Sequence, residues 1–127
     1  FTFIIYKFCS KEKKCNVPVL CVGNITLGGA GKTPTVIELR KFLSNSFEKI
    51  YVLTRGYKGK AKGPLIVGNN HTFHDVGEES LLHSQFGLTC VSKNKFLGAK
   101  FCEAQGGKLI IMDDGLQSRD IKRIAKF

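Results

Sequence analysis

No two cysteines in this chain are spaced C-x-x-C. Cys9, Cys15, Cys21, Cys90 and Cys102 stand apart, which removes zinc ribbons and dithiol redox centres from consideration and leaves reduced cytosolic thiols as the expectation. Long apolar runs are missing too. The segment Phe1 to Cys9 is strongly apolar but far shorter than the roughly 20 residues that cross a bilayer. No small-residue cleavage site follows it, so no cleavable signal peptide is recognised. Acidic residues are scarce: 10 Asp and Glu against 20 Lys and Arg give a net charge of +10. That balance favours anionic partners such as nucleic acid, anionic lipid or polyphosphate, or simply keeps a surface solvated. Aromatic residues are little interleaved with the basic ones, which weakens a single-stranded nucleic-acid reading. Methionine occurs once, as the internal Met112, and the 127 residues make one domain at most. Both ends read as cut from a longer chain, with a second lobe expected beyond residue 127.

The residues that are present point to phosphate. Thr26-Leu27-Gly28-Gly29-Ala30-Gly31-Lys32-Thr33 follows the apolar run Val17 to Val22 and precedes an amphipathic one. Glycines let successive backbone N–H groups turn around an anion, and a following helix N-terminus adds partial positive charge. In such a loop Lys32 reaches the β- and γ-phosphates of a nucleoside triphosphate and the Thr33 hydroxyl holds Mg²⁺. The loop is a variant, because Thr26 stands where the usual pattern has glycine. Downstream, Val36, Leu39, Phe42, Leu43 and Phe47 recur at helical spacing, with Glu38, Arg40, Lys41 and Asn45 between them.

Further strands are expected at Ile50–Leu53, Pro64–Val67 (short, at an edge) and Leu88–Val91, and a helix at Lys93–Glu103. Arg55 and Tyr57 follow the strand at 50–53, where loops line the ligand crevice of a doubly wound sheet. Glu78 and Glu79 open a helical stretch, a position the helix dipole favours and one from which a carboxylate can act as general base or hold Mg²⁺ through water. His71, His74 and His83 read as surface or packing residues. Leu109 to Met112 is an apolar strand ending in Asp113 and Asp114, the way a Walker B element presents acid to a metal beside a phosphate loop. Strands alternating with helices predict an α/β fold, a mostly parallel sheet flanked by helices in the manner of P-loop NTPases.

The segments Val22-Gly23-Asn24-Ile25-Thr26, Gly28 to Pro34, Arg55-Gly56-Tyr57, Val76-Gly77-Glu78-Glu79 and Asp113-Asp114-Gly115-Leu116-Gln117 together resemble the tetraacyldisaccharide 4'-kinase family, from about Val17 to Gln117. The resemblance implies transfer of the ATP γ-phosphoryl group to the 4'-hydroxyl of a tetraacylated glucosamine disaccharide 1-phosphate. It places that reaction at the cytoplasmic face of the Gram-negative inner membrane. By the same resemblance Thr26 to Thr33 bind nucleotide, and Thr33, Glu79, Asp113 and Asp114 lie around Mg²⁺. Glu78 matches the acid that activates the sugar hydroxyl, and Arg55, Tyr57 and Gln117 lie near the substrate. The family usually has Gly-Asp-Glu-Pro where this chain has Gly77-Glu78-Glu79-Ser80, and its histidine partner for the first acid lies well beyond residue 127.

The implied partners are an anionic glycolipid and the inner-membrane surface, with no nucleic acid expected. Residues 1–16 then form a basic, apolar segment, read as the end of a membrane helix, as an interfacial helix whose lysines meet anionic headgroups, or as an ordinary packed helix. Residues 17–127 form the nucleotide-binding domain. Two competing readings are an inactive remnant that at most binds nucleotide, and a basic P-loop ATPase acting on nucleic acid.

Overall fold

The computed structural model describes residues 2–8, 16–23, 32–113 and 121–126, and side chains for residues 16–20 and 36–113. In chain order the elements are β1 (Thr2–Phe8), β2 (Val19–Gly23), α1 (Lys32–Leu43), β3 (Ile50–Thr54), β4 (Leu65–Ile66), α2 (Phe73–Val76), α3 (Glu78–Ser84), β5 (Thr89–Val91), α4 (Lys95–Ala104), β6 (Leu109–Asp113) and β7 (Ile121–Lys126). The strands form one sheet in the order β4-β5-β3-β6-β2-β1-β7. Its centre, β5-β3-β6-β2, is parallel, with Val19 opposite Ile110, Val52 opposite Ile111 and Leu53 opposite Cys90. The flanking strands β4, β1 and β7 each pair antiparallel.

The apolar runs explain this centre. Every residue of β3 and β6 is buried, as strands covered on both faces must be. Side chains alternate between the faces. Tyr51, Leu53, Ile110 and Met112 join Phe96, Ala99 and Cys102 of α4 in one core cluster. Ile50, Val52, Leu109 and Ile111 join Val36 in a second, with Leu39, Leu43 and Phe47 packed against it. Burying each such aliphatic side chain stabilises the fold by about 1.5–3 kcal/mol, so this platform holds the ends of its strands firmly. Phe42, counted with the packed stripe of α1 by its spacing, is instead 76% exposed. Cys90 and Cys102 are both buried.

Two sequence expectations are corrected. Thr2–Phe8 is not helical but a strand, with Phe3 opposite Val22 and Ile5 opposite Leu20. Thr, Phe, Ile and Tyr in succession suit a pleated strand, and an open edge beside β2 gives them a partner. No helix among the described residues is long and apolar enough to cross a membrane. Ile121–Lys126 forms β7, which pairs with β1.

The second concerns Arg40, placed by spacing among the polar residues of α1 but only 5% exposed. Its Nη1 donates to the Leu88 carbonyl and its Nη2 to the His83 carbonyl, each at 2.9 Å. Desolvation lowers its pKa to about 10, so the guanidinium remains charged at neutral pH. A cation against the last carbonyls of α3 also suits that helix's dipole. Arg40 therefore ties α1, the helix behind the glycine loop, to the far end of α3.

Candidate functional site

Because β5, β3, β6 and β2 are parallel, their carboxyl ends share one edge of the sheet, and the loop leaving each strand lies along it. Thr54 ends β3, Asp113 ends β6, and Lys93 comes two residues after β5. A cavity of about 510 Å³ opens at this edge, lined by Thr54, Arg55, Tyr57, Lys58, Glu79, Lys93 and Asp113. Three cations and two carboxylates share it, a charge pattern that suits phosphate groups carried with a metal ion.

The loop after β3 is held by its backbone. Gly56 has φ +68° and Lys58 φ +67°, and the Gly59 amide donates to the Gly56 carbonyl at 2.8 Å. Lys93 Nζ donates to that same carbonyl at 2.9 Å. Against this loop sits Gly77, the residue preceding α3, with φ 86° and ψ 156°, a conformation essentially confined to glycine. A Cβ there would lie 2.3 Å from the Tyr57 carbonyl oxygen. Gly77→Ala is therefore expected to cost at least about 1–3 kcal/mol from backbone strain, read as a lower denaturation midpoint. An unchanged midpoint would show that the loop yields freely.

Gly77 delivers Glu78 and Glu79 into the first turn of α3. Adjacent helical residues diverge by about 100°, so the two carboxylates face different spaces. Glu79 lines the cavity shared with Asp113, and it also borders a neighbouring one of about 460 Å³, where Glu78 lies with Tyr57, Lys58, Phe73 and His74. One turn after Glu79, on the same face, comes His83. Its side chain is fully buried, and Nε2 stands 2.9 Å from Asp113 Oδ2, where a ring N–H donates to the carboxylate. Glu79, His83 and Asp113 each offer a ligand atom, all within 4.8 Å of one another.

The structure thus brings together Arg55, Tyr57, Glu79 and Asp113, all singled out from the sequence, and keeps Glu78 in the adjoining space beside Tyr57. Lys32 and Thr33 open α1 directly after the glycine loop. Thr26, Leu27, Gly28, Gly29, Ala30, Gly31, Asp114 and Gln117 lie outside the described residues, as do the side chains of Lys32 and Thr33.

His83 is the main correction. Grouped with the other histidines as a surface or packing residue, it is instead a buried partner of Asp113. His74 is exposed and His71 Nδ1 accepts from the Gly68 amide in a turn, so for those two the reading holds. The i, i+4 spacing of Glu79 and His83 was the available signal, but only the fold places Asp113 opposite them. Lys58 and Lys93 were likewise missed. Both sit just after strand ends, the same signal that singled out Arg55.

A family model described as "Tetraacyldisaccharide-1-P 4'-kinase" matches residues 3–126. The chain belongs to this family. A tetraacyldisaccharide 4'-kinase of Methylorubrum extorquens strain PA1 is 46% identical over 107 residues, 84% of this chain and 33% of that protein. One from Allorhizobium ampelinum is 48% identical over 107 residues, 84% of this chain and 31% of its own length. The crystal structure of LpxK from Aquifex aeolicus in complex with ATP superposes with a TM-score of 0.72 at 32% identity, covering 83% of this chain and 35% of that one. The chain spans about a third of the length of these tetraacyldisaccharide 4'-kinases. Within that third lie the parallel strands and the carboxylates at their ends.

Proposed function

We propose that this chain forms the nucleotide-binding part of an enzyme that phosphorylates the 4'-hydroxyl of a tetraacyldisaccharide 1-phosphate, with ATP as phosphoryl donor. The observation that carries the proposal is the pairing of Glu79 and Asp113 at the carboxyl end of a parallel sheet, among Arg55, Lys58 and Lys93, in a chain whose sequence places a glycine loop before α1. Family membership and the structural likeness to an ATP-complexed relative support the same reading.

Gly28 to Thr33 would enclose the phosphates with backbone N–H groups and the Lys32 ammonium. The oxygen donors of Glu79 and Asp113, with an imidazole nitrogen beside them, fit a divalent cation. Thr33, Glu79, Asp113 and Asp114 are the residues that would hold Mg²⁺, which neutralises phosphate charge when bound. Glu78 accepts the proton of the sugar hydroxyl. The hydroxyl oxygen then bonds to the γ-phosphorus as the bond from that phosphorus to the β,γ-bridging oxygen breaks, and ADP departs. Arg55 and Lys93 offset the charge spread over the transferred group, which is where most phosphoryl-transfer catalysis lies. Tyr57, 73% exposed between the two cavities, offers a ring face to a sugar, and Gln117 is assigned to the same substrate side. An anionic lipid substrate would bring the reaction to the cytoplasmic face of the inner membrane.

The test is transfer of label from γ-labelled ATP to the tetraacyldisaccharide 1-phosphate in detergent by the full chain. Glu78→Gln should remove turnover and leave ATP affinity unchanged. Absence of labelled lipid with the unaltered enzyme would overturn the proposal, and equal loss of turnover and ATP affinity in Glu78→Gln would give Glu78 a metal-binding or structural role.

A further inference from the structure

We propose that Lys58 is a further catalytic residue of this site, its ammonium meeting the γ-phosphoryl group as that group passes from the nucleotide cavity to the acceptor cavity; the inference rests on the kinase reading. Lys58 borders both spaces. With Tyr57 and Glu79 it lines the cavity of about 510 Å³ that Thr54, Arg55, Lys93 and Asp113 complete, and it also lines the neighbouring one of about 460 Å³, where Glu78 lies. In a kinase the bonds change where the space for the donor meets the space for the acceptor. Among the lysines and arginines described there, Lys58 is the one common to the two cavities, since Arg55 and Lys93 line only the larger.

The backbone at this position is unusual for a lysine. Among the described residues the other positive-φ positions, Gly56, Gly63, Gly77, Gly87 and Gly106, are all glycine, whereas Lys58 has φ 67°. That conformation crowds any residue that carries a Cβ, and glycine adopts it freely. The loop is also held in it from several sides. The Gly59 amide donates to the Gly56 carbonyl, and the Lys60 and Ala61 amides donate to the His74 and Asp75 carbonyls at 3.0 and 2.8 Å. A Cβ on Gly59 would lie 2.6–2.7 Å from backbone atoms of Asp75, Val76 and Gly77, so the chain is pressed against the turn that delivers Glu78. Strain of this kind gathers where a side chain must be held in place for function. A lysine serving only to be solvated needs none of it.

The side chain is exposed, and its Nζ stands 5.7 Å from the centroid of the Tyr57 ring, within the range of a cation–π contact. The ammonium thus rests beside the aromatic residue that also borders both cavities. The step it serves forms one bond, from the acceptor oxygen to the γ-phosphorus, and breaks one, from that phosphorus to the β,γ-bridging oxygen; Glu78 takes the hydroxyl proton and ADP leaves. Lys58 forms no covalent bond and keeps its protons. It offsets negative charge on the oxygens of the group in transit, where a fixed cation acts on the transition state.

Label transfer from γ-labelled ATP to the tetraacyldisaccharide 1-phosphate by the full chain in detergent, with kcat and both KM values measured, tests the role. In Lys58→Met, kcat should fall on the order of 10–100-fold, less than the roughly 100–1,000-fold for an aligned donor in a dry site, because this ammonium is exposed and Arg55 and Lys93 share the charge. Both KM values should stay nearly constant, as for an interaction made only in the transition state. Lys58→Arg keeps the charge and should recover most of the rate. Lys58→Gly relieves the backbone, so it should melt no lower than the unaltered chain and still lose the same turnover. Full turnover in Lys58→Gly would overturn the proposal. So would a rise in either KM at constant kcat, which would make Lys58 a binding group for one substrate alone. Both results require an unaltered enzyme that labels the lipid; one that labels none overturns the kinase reading itself, and this inference with it.

Discussion

Asp113→Asn is expected to lower phosphoryl transfer by on the order of 100–1,000-fold, the range seen when one aligned electrostatic contact to a reacting group is lost, while the thermal midpoint moves by only a few degrees. The asymmetry arises from the two oxygens of this side chain. An asparagine oxygen can still accept from His83 Nε2, which stands 2.9 Å from Asp113 Oδ2, so the buried pair keeps its hydrogen bond. The negative charge facing the cavity is what disappears. Asp113→Leu should behave differently, because it leaves the His83 N–H buried without an acceptor and adds destabilisation of about 1–3 kcal/mol. Transfer assays beside thermal melts of both variants separate the roles. A large loss of midpoint in Asp113→Asn would mean that the carboxylate charge itself is structural.

Lys32→Ala is expected to weaken ATP binding by at least about 100-fold, consistent with loss of a cation aligned on phosphates in a water-poor site, with no change in fold. Lys32 is the first residue of α1, directly after the glycine loop and one residue ahead of Thr33. Val36 is the first α1 residue described in the core, and alanine is the strongest helix former, so the substitution is expected to leave the helix in place. Equilibrium binding of a fluorescent ATP analogue measures the effect, and far-ultraviolet circular dichroism checks the fold. Unchanged affinity would take the phosphate-loop role away from residues 26–33.

The strand that ends in Asp113 and the helix that opens at Lys32 are both legible in the sequence, and the reason is local. A glycine loop and an apolar strand ending in acids carry their meaning in consecutive residues, and β3 and β6 are buried on both faces, so their sequences are continuously apolar. Arg40 and His83 are illegible for the opposite reason. A helical-wheel count treats an arginine beside Glu38 and Lys41 as solvated, but its acceptors, the His83 and Leu88 carbonyls, lie more than forty residues on. His83 follows Leu81 and Leu82 and looks like part of a packing stripe until the sheet sets Asp113 against it. The distinction between Glu78 and Glu79 needs the helix phase, and that phase is fixed by Gly77. Strand β1 is easily misread because an apolar segment near the start of a chain invites a membrane reading, whereas Thr, Ile, Phe and Tyr in alternation also suit a sheet edge.

The order of the sheet has a consequence for how this protein comes into being. Strand β2 lies beside β6, with Val19 opposite Ile110, and β1 lies beside β7, with Ile4 opposite Lys126. Strands β1 and β2 are neighbours in sequence and can pair before the parallel neighbour of β2 is made, since Ile110 follows Val19 by 91 residues. Loop closure over such separations must precede any reward from the contacts, which makes sheets of this kind slow to assemble. During that interval the apolar faces of β2 and β3 have no β6 between them. This stretch of the nascent chain is therefore open to aggregation until the strand that ends in Asp113 arrives, and the same strand both fills the centre of the sheet and delivers the acid on which the site depends.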